Sequence, residues 1–160
     1  MHAEVMAPRN EKSAIPRTPS VPAGSTQQTL LGLYQELGRY GNPFPHLMIY
    51  FPHLVGTLFA AACAPQEPEL SRLLVANIIF YPASAVLHGL GCTWNDVVDE
   101  PLDRLVERTR NRPLPRGAIT RTHAVFFYVV QTLLWLGMLY LISARVALCG
   151  LFLILSLIHI

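Results

Sequence analysis

Charge is what this chain has least of. Only 14% of its 160 residues are charged, against 52% hydrophobic, and the mean hydropathy is +0.37. A water-soluble domain carries about 25% charged residues, so the deficit argues against an ordinary soluble fold and points to lipid as the solvent. Aspartate is scarcer still: Asp96, Asp99 and Asp103 are all there are, and no acidic residue of any kind follows Glu107. The three cysteines, Cys63, Cys92 and Cys149, fall in or beside different apolar runs without a CxxC pair, which excludes a thiolate metal knuckle and a disulfide framework. They are expected to be buried, reduced thiols. The six histidines are scattered; His46 and His53 share a helix seven residues apart with no acidic partner, and read as structural or pore-lining residues before metal ligands. No internal repeat occurs, and the first 30 residues lack the apolar core of a secretory signal peptide.

What is present is a succession of apolar runs. Crossing the hydrocarbon layer takes about 20 mostly apolar helical residues. Four stretches come close: Phe44–Ala64, Leu70–Trp94, Ala124–Ser143 and Val146–Ile160. The expected fold class is therefore all-α, a polytopic transmembrane helix bundle. The phrase GNPFPH marks the entry to the first span, because proline suits a first helical turn and disfavours helix before it. Pro52 and Pro82 lie inside spans, where a kink is expected. The third span carries only Gln131 as a strongly polar interior residue and reads as scaffold. Residues 1–30, rich in Pro, Ser, Thr and Ala, read as a disordered tail. Its Arg9, Lys12 and Arg17 are mixed with Glu4 and Glu11, unlike a mitochondrial transit peptide, so an endomembrane is favoured over the mitochondrial inner membrane.

The basic residues fall unevenly. Arg9, Lys12, Arg17 and Arg39 precede the first span, and six arginines from Arg104 to Arg121 separate the second from the third. Cytoplasmic loops carry excess Lys and Arg, so the tail and the Trp94–His123 loop are expected on the cytoplasmic side. These cations are interleaved with acids and confined to one loop, which argues against nucleic-acid binding.

That loop begins with the aspartates. At about 100° per residue, Asn95, Asp96, Asp99 and Asp103 project within an arc of roughly 100° on one helix face. Carboxylates gathered at the foot of a membrane helix repel one another and resist burial, so they need a compensating cation. Mg2+ suits them, because it takes oxygen ligands, keeps several waters and is commonly held by one or two carboxylates together with substrate phosphates. Pro101 is expected to interrupt the helix between Asp99 and Asp103. Arg108 and Arg112 would face the same way on a helix, and guanidinium groups bind phosphate oxygens in bidentate fashion. Asn111–Pro115 then turns the chain toward the third span. A plain topology-setting loop, with Asp99 or Asp103 paired to arginine at i+4 or i+5, is the competing reading. A calcium loop is excluded by the absence of alternate oxygen ligands around a central glycine.

The stretch GCTWNDVVDEPLDRLVERTRNRPLPRG resembles the first aspartate-rich motif of the membrane-bound aromatic prenyltransferases, the 4-hydroxybenzoate polyprenyltransferase family. The pattern NDxxDxxxD followed by RTxxRP aligns Asn95, Asp96, Asp99 and Asp103, then Arg108, Thr109, Arg112 and Pro113, without a gap. GRYGNPFPH around Arg39 looks like the family's entry to its first helix, with Asn42 and Pro45 where Lys and Gly are common. His88 stands where many members have Arg, and the form is similar to fungal enzymes that make prenylated aromatic natural products. The resemblance implies a bundle of about nine transmembrane helices, with Mg2+ held between two acidic motifs at cytoplasm-facing helix ends. Residues 31–160 would be its N-terminal part, truncated at the C-terminus and without the second aspartate motif. It implies Mg2+-dependent transfer of a polyprenyl group, farnesyl or longer, from an allylic diphosphate to an aromatic, phenolic acid-like acceptor in meroterpenoid biosynthesis. Asp99, Asp103 and Asp96 would contact metal, with Asn95 supporting, and Arg108, Arg112 and Arg39 would hold the diphosphate. The alternatives are a ubiquinone-pathway 4-hydroxybenzoate polyprenyltransferase, or an inactive membrane fragment.

Overall fold

The computed structural model describes residues 28–65 and 69–159. It contains five helices: α1 (Leu30–Leu37), α2 (Phe44–Cys63), α3 (Leu70–Asp103), α4 (Arg121–Ile142) and α5 (Ala144–His159). No strand occurs among the described residues. The expected tail lies outside them over residues 1–27. Its last three positions do not: Thr29 caps α1 by accepting from the Gly32 N–H at 3.2 Å, and Leu30 is already helical. The signals for α1 are local, namely a Thr cap, apolar Leu33 and Leu37 four apart on one face, and Gly38 at the end.

Three helices, α2, α3 and α4, are long and apolar enough to cross a membrane, and α5 is a shorter apolar helix. Pro45 lies in the first turn of α2, and Asn42 Oδ1 accepts from the Phe44 N–H at 3.0 Å. Both α2 and α3 run through their internal prolines, Pro52, Pro82 and Pro101. α3 is the long element. Its 34 residues span about 51 Å at 1.5 Å per residue, against a hydrocarbon core of about 30 Å. The apolar part of α3 runs over Leu70–Trp94, so the aspartates fall on the C-terminal turns that follow it.

Packing is inverted relative to a soluble protein. Phe59 (70% exposed), Ile78 (70%) and Leu133 (65%) face outward, whereas Ser84, Thr93 and Gln131 are buried. Lipid removes any penalty for the first group and makes the second seek partners inside. α3 packs against α2 on one side and α4 on the other, and α5 follows α4. One core cluster, Ala83, Leu90, Tyr128, Trp135, Leu139 and Ile154, joins α3, α4 and α5. A second, Leu37, Val97, Leu114, Ile119 and Ala124, gathers α1, the foot of α3, the following loop and the start of α4. This second cluster lies at the polar end, where water can drive apolar association. Fully burying a leucine there contributes about 1.5–3 kcal/mol, which fastens the 104–120 loop over the end of α3. The thiols depart from expectation: only Cys92 is buried, and Cys63 and Cys149 are exposed on the outer surface.

Candidate functional site

The foot of α3 keeps the acidic arc but divides it by depth. Asp96 and Asp103 are buried, while Asp99 and Asn95, on the other edge of the same arc, are exposed. Pro101 does not break the helix as expected. It removes one backbone donor, yet α3 continues to Asp103, whose carbonyl accepts from the Thr109 hydroxyl at 3.0 Å.

Two arginines from different parts of the chain meet on one carboxylate oxygen. Arg39 Nη2 lies 2.7 Å from Asp96 Oδ1, and Arg112 Nη1 lies 3.0 Å from the same atom. Arg112 Nη1 also reaches Asp103 Oδ2 at 2.8 Å. The Asp96 side chain is only 2% exposed, whereas the guanidinium-bearing side chains of Arg39 and Arg112 are 39% and 27% exposed. A buried charge needs this pairing, and the arginines keep open edges toward water. Arg112 makes both contacts through Nη1, so its Nη2 and Nε carry no hydrogen bond among the described residues.

Arg108 and Arg112 do not share a face. The 104–118 segment is a series of single turns, with Arg110 N–H to Val106 O at 2.9 Å and Arg116 N–H to Arg112 O at 3.1 Å. Arg112 therefore turns inward, while Arg108 is exposed and has no ion-pair partner among the described residues. Glu100 has a different occupation: it pairs with Arg104 at 2.6 Å and Arg121 at 3.6 Å, tying the helix end to α4. Arg116 forks onto Glu36 at 3.1 and 3.3 Å and fastens α1 to the loop. The i+4 pairing weighed for Asp99 or Asp103 occurs at Glu100 instead.

Sequence reasoning missed the residues around Arg39. Arg39 is the one non-glycine residue with positive φ (55°) among those described, a left-handed conformation that costs about 1–2 kcal/mol outside glycine. Its Nη1 donates to Cys92 Sγ at 3.3 Å. Next to it, the Tyr40 hydroxyl donates to Gln131 Oε1 at 2.7 Å, Gln131 Nε2 donates to Thr93 Oγ1 at 3.1 Å, and Thr93 donates to the Gly89 carbonyl at 2.8 Å. Gln131 is thus an internal partner as well as part of the scaffold. Burial pushes the Tyr40 phenol up from 10.0 to about 12, with Cys92 as the smaller cause. His46 and His88 face each other edge to face at 5.0 Å, and His46 Nε2 is buried without a hydrogen bond. The cue for Gln131 was its place as a lone polar residue in an apolar span, since such residues face the bundle interior by default; Tyr40, between α1 and α2, had no comparable signal.

Among the described residues no three His, Cys, Asp or Glu side chains form a ready metal cage. The donor set nevertheless fits a hard divalent cation. Asp99 and Asn95 carry no partner among the described residues, and Asp96 Oδ2 and Asp103 Oδ1 are not used by the arginines. All are oxygen donors, as a cation that keeps much of its coordination from water and a bound anion requires.

Residues 49–159 match the UbiA prenyltransferase family. Similar proteins include the prenyltransferase ascA of Acremonium egyptiacum, 44% identical over 63% of this chain and 30% of its own length. The DMOA farnesyltransferase nvfB of Aspergillus novofumigatus is 44% identical over 58% of this chain and 29% of its own. The prenyltransferase stbC of Stachybotrys bisbyi is 34% identical over 79% of this chain and 36% of its own. The chain thus spans about a third of the length of these relatives. No solved structure matches it.

Proposed function

The chain belongs to the UbiA prenyltransferase family, and from that premise we propose that the foot of α3 binds the diphosphate of an allylic prenyl diphosphate for transfer to an aromatic, phenolic acid-like acceptor. The observation that carries this is the convergence of Arg39 and Arg112 on buried Asp96, on the helix face that also carries uncommitted Asp99. The carboxylate holds the two guanidinium groups in place before any ligand arrives, so little side-chain freedom is lost on binding. Their open edges offer bidentate donors to phosphate oxygens, and Arg108, exposed on the same loop, is a further candidate donor.

Asp99 with Asn95 would hold Mg2+, and the unused oxygens of Asp96 and Asp103 would complete the protein's share. When bound, the ion neutralises charge developing on the departing diphosphate. The arginines do the same from the other side, and because guanidinium stays protonated at working pH it stabilises the leaving group without a proton transfer. Once the C–O bond to the diphosphate breaks, the prenyl carbon left cationic is attacked by the electron-rich ring of the acceptor, a carbon–carbon bond forms, and the attacked ring carbon releases its proton as aromaticity returns. A farnesyl donor is supported by the name of the Aspergillus novofumigatus relative. Fungal relatives favour secondary-metabolite biosynthesis, and the arginine distribution favours a site facing the cytoplasm from an endomembrane.

The test is binding of tritiated farnesyl diphosphate to the chain reconstituted in liposomes, with and without Mg2+, followed by product analysis with a panel of phenolic acids. Mg2+-dependent binding that falls about tenfold or more in Arg112→Ala, a loss of about 1.4 kcal/mol, is expected. Binding no tighter than that of farnesol, and indifferent to Mg2+, would refute the reading.

A further inference from the structure

We infer that Tyr40, Gln131 and Thr93 form a positioning relay that holds Arg39 over Cys92 and on Asp96. Its consequence for diphosphate binding rests on the function proposed above; the relay itself does not.

The directions of the hydrogen bonds are mutually determined. Thr93 spends its one proton on the Gly89 carbonyl at 2.8 Å, so toward Gln131 it can only accept. That orients the amide with Nε2 toward Thr93 and Oε1 toward Tyr40, which must then donate and must be a protonated phenol. The raised pKa of Tyr40 agrees with this demand. Thr93 and Gln131 are 0% and 3% exposed, so water does not compete for these bonds.

Two glycines make room for the same ring. A Cβ at Gly89 would overlap the Tyr40 phenol and come within 2.7 Å of Gln131 Oε1, and one at Gly38 would lie 2.8 Å from Tyr40 Cδ2. Polar chemistry on α3 and α4 and small residues on both sides therefore all serve the placement of one side chain. Tyr40 directly follows Arg39, whose left-handed backbone persists only if its surroundings over-determine it. Anchoring Tyr40 across the bundle supplies that constraint and directs the Arg39 guanidinium to Cys92 Sγ at 3.3 Å and Asp96 Oδ1 at 2.7 Å.

The test reads Arg39 through the thiol it covers. In a Cys63→Ala/Cys149→Ala background, Cys92 is the only thiol, and its alkylation by a water-soluble maleimide is measured on the detergent-purified chain as a rate per thiolate, the thiolate fraction being read from its ultraviolet absorbance, so that coverage by Arg39 is separated from the effect of its charge on the sulfur. Arg39→Ala is expected to raise the rate per thiolate several-fold, because the sulfur loses its cover. Tyr40→Phe, which removes one hydroxyl, and Gln131→Leu should approach that rate while far-UV circular dichroism shows unchanged helix content. Wild-type labelling rates in both relay variants, with Arg39→Ala fast, would overturn the relay. A wild-type rate in Arg39→Ala would overturn the placement of Arg39 over Cys92 on which it stands. In the farnesyl diphosphate assay, Tyr40→Phe should weaken Mg2+-dependent binding only if the functional reading also holds. Faster labelling without a binding change would therefore separate failure of the functional reading from failure of the relay.

Discussion

Replacing Arg112 by alanine should destabilise the protein more than replacing Arg39, although both arginines bond the same Asp96 oxygen. Arg112 Nη1 serves two carboxylates, at 3.0 Å to Asp96 and 2.8 Å to Asp103. Without it Asp96 keeps Arg39 at 2.7 Å, but Asp103, whose side chain is 12% exposed, loses its only ion-pair partner among the described residues. Breaking a fully buried pair from one side costs about 3–5 kcal/mol, because a charge is left uncompensated. An exposed pair is worth about 0–1 kcal/mol. The side chains here lie between these limits, so Arg112→Ala is expected to cost about 2–3 kcal/mol and Arg39→Ala about 1–2 kcal/mol. Adding Asp103→Asn to Arg112→Ala removes the stranded charge and should restore about 1 kcal/mol. The assay is unfolding in mixed micelles of rising SDS fraction, followed by far-UV circular dichroism. An Arg39→Ala protein as unstable as Arg112→Ala, or a double variant weaker than Arg112→Ala alone, would refute the assignment of Arg112 as the shared cation.

Asp99→Ala should abolish the Mg2+ dependence of farnesyl diphosphate binding, whereas Glu100→Ala, which loses its pairs with Arg104 and Arg121, should lower stability and leave that dependence intact; equal losses would mean that only net charge matters. Cysteines placed at Ala118 and Pro65, which flank α3 at its two ends, should react with an impermeant reagent from opposite faces of sealed vesicles, the first from the cytoplasmic face. Tyr40 ionises at about 12 when folded against 10.0 as the ordinary value. Its contribution to stability is therefore complete below pH about 10 and lost as pH rises toward about 12, a loss that Tyr40→Phe should abolish along with one late-titrating phenolate absorbance. Gly89→Ala should cost about 1–3 kcal/mol by overpacking against Tyr40, whereas Gly91→Ala, whose Cβ would meet nothing within 4 Å, should not; equal midpoints in the SDS titration would contradict the close approach.

The sequence by itself determined the helical class, four apolar stretches, of which three form helices long enough to cross a membrane and the fourth a shorter one, and the acidic arc followed by arginines. These depend on hydropathy, on a fixed angle per residue and on contiguous spacing, all of which are local properties. It also contained the cues for α1, in Thr29, Leu33, Leu37 and Gly38, although they are easily passed over beside a disordered-looking tail. Only the tertiary structure decided which charges meet. Arg39 is 57 residues from Asp96, and Tyr40 is 91 from Gln131; nothing in either neighbourhood specifies the other. The split of the arc into buried Asp96 and Asp103 and open Asp99 follows from the side on which α1 and the 104–120 loop dock, which the apolar cluster around Leu37, Val97 and Leu114 sets. Pro101 removes only one helical hydrogen bond, and whether that ends a helix depends on what holds the next turn, here Thr109 on the Asp103 carbonyl. Arg108 and Arg112 part company for a related reason: four-residue spacing places side chains together only while the backbone stays helical, and the turns that lead into Asn111–Pro115 carry the second arginine inward to the carboxylates while the first stays in water.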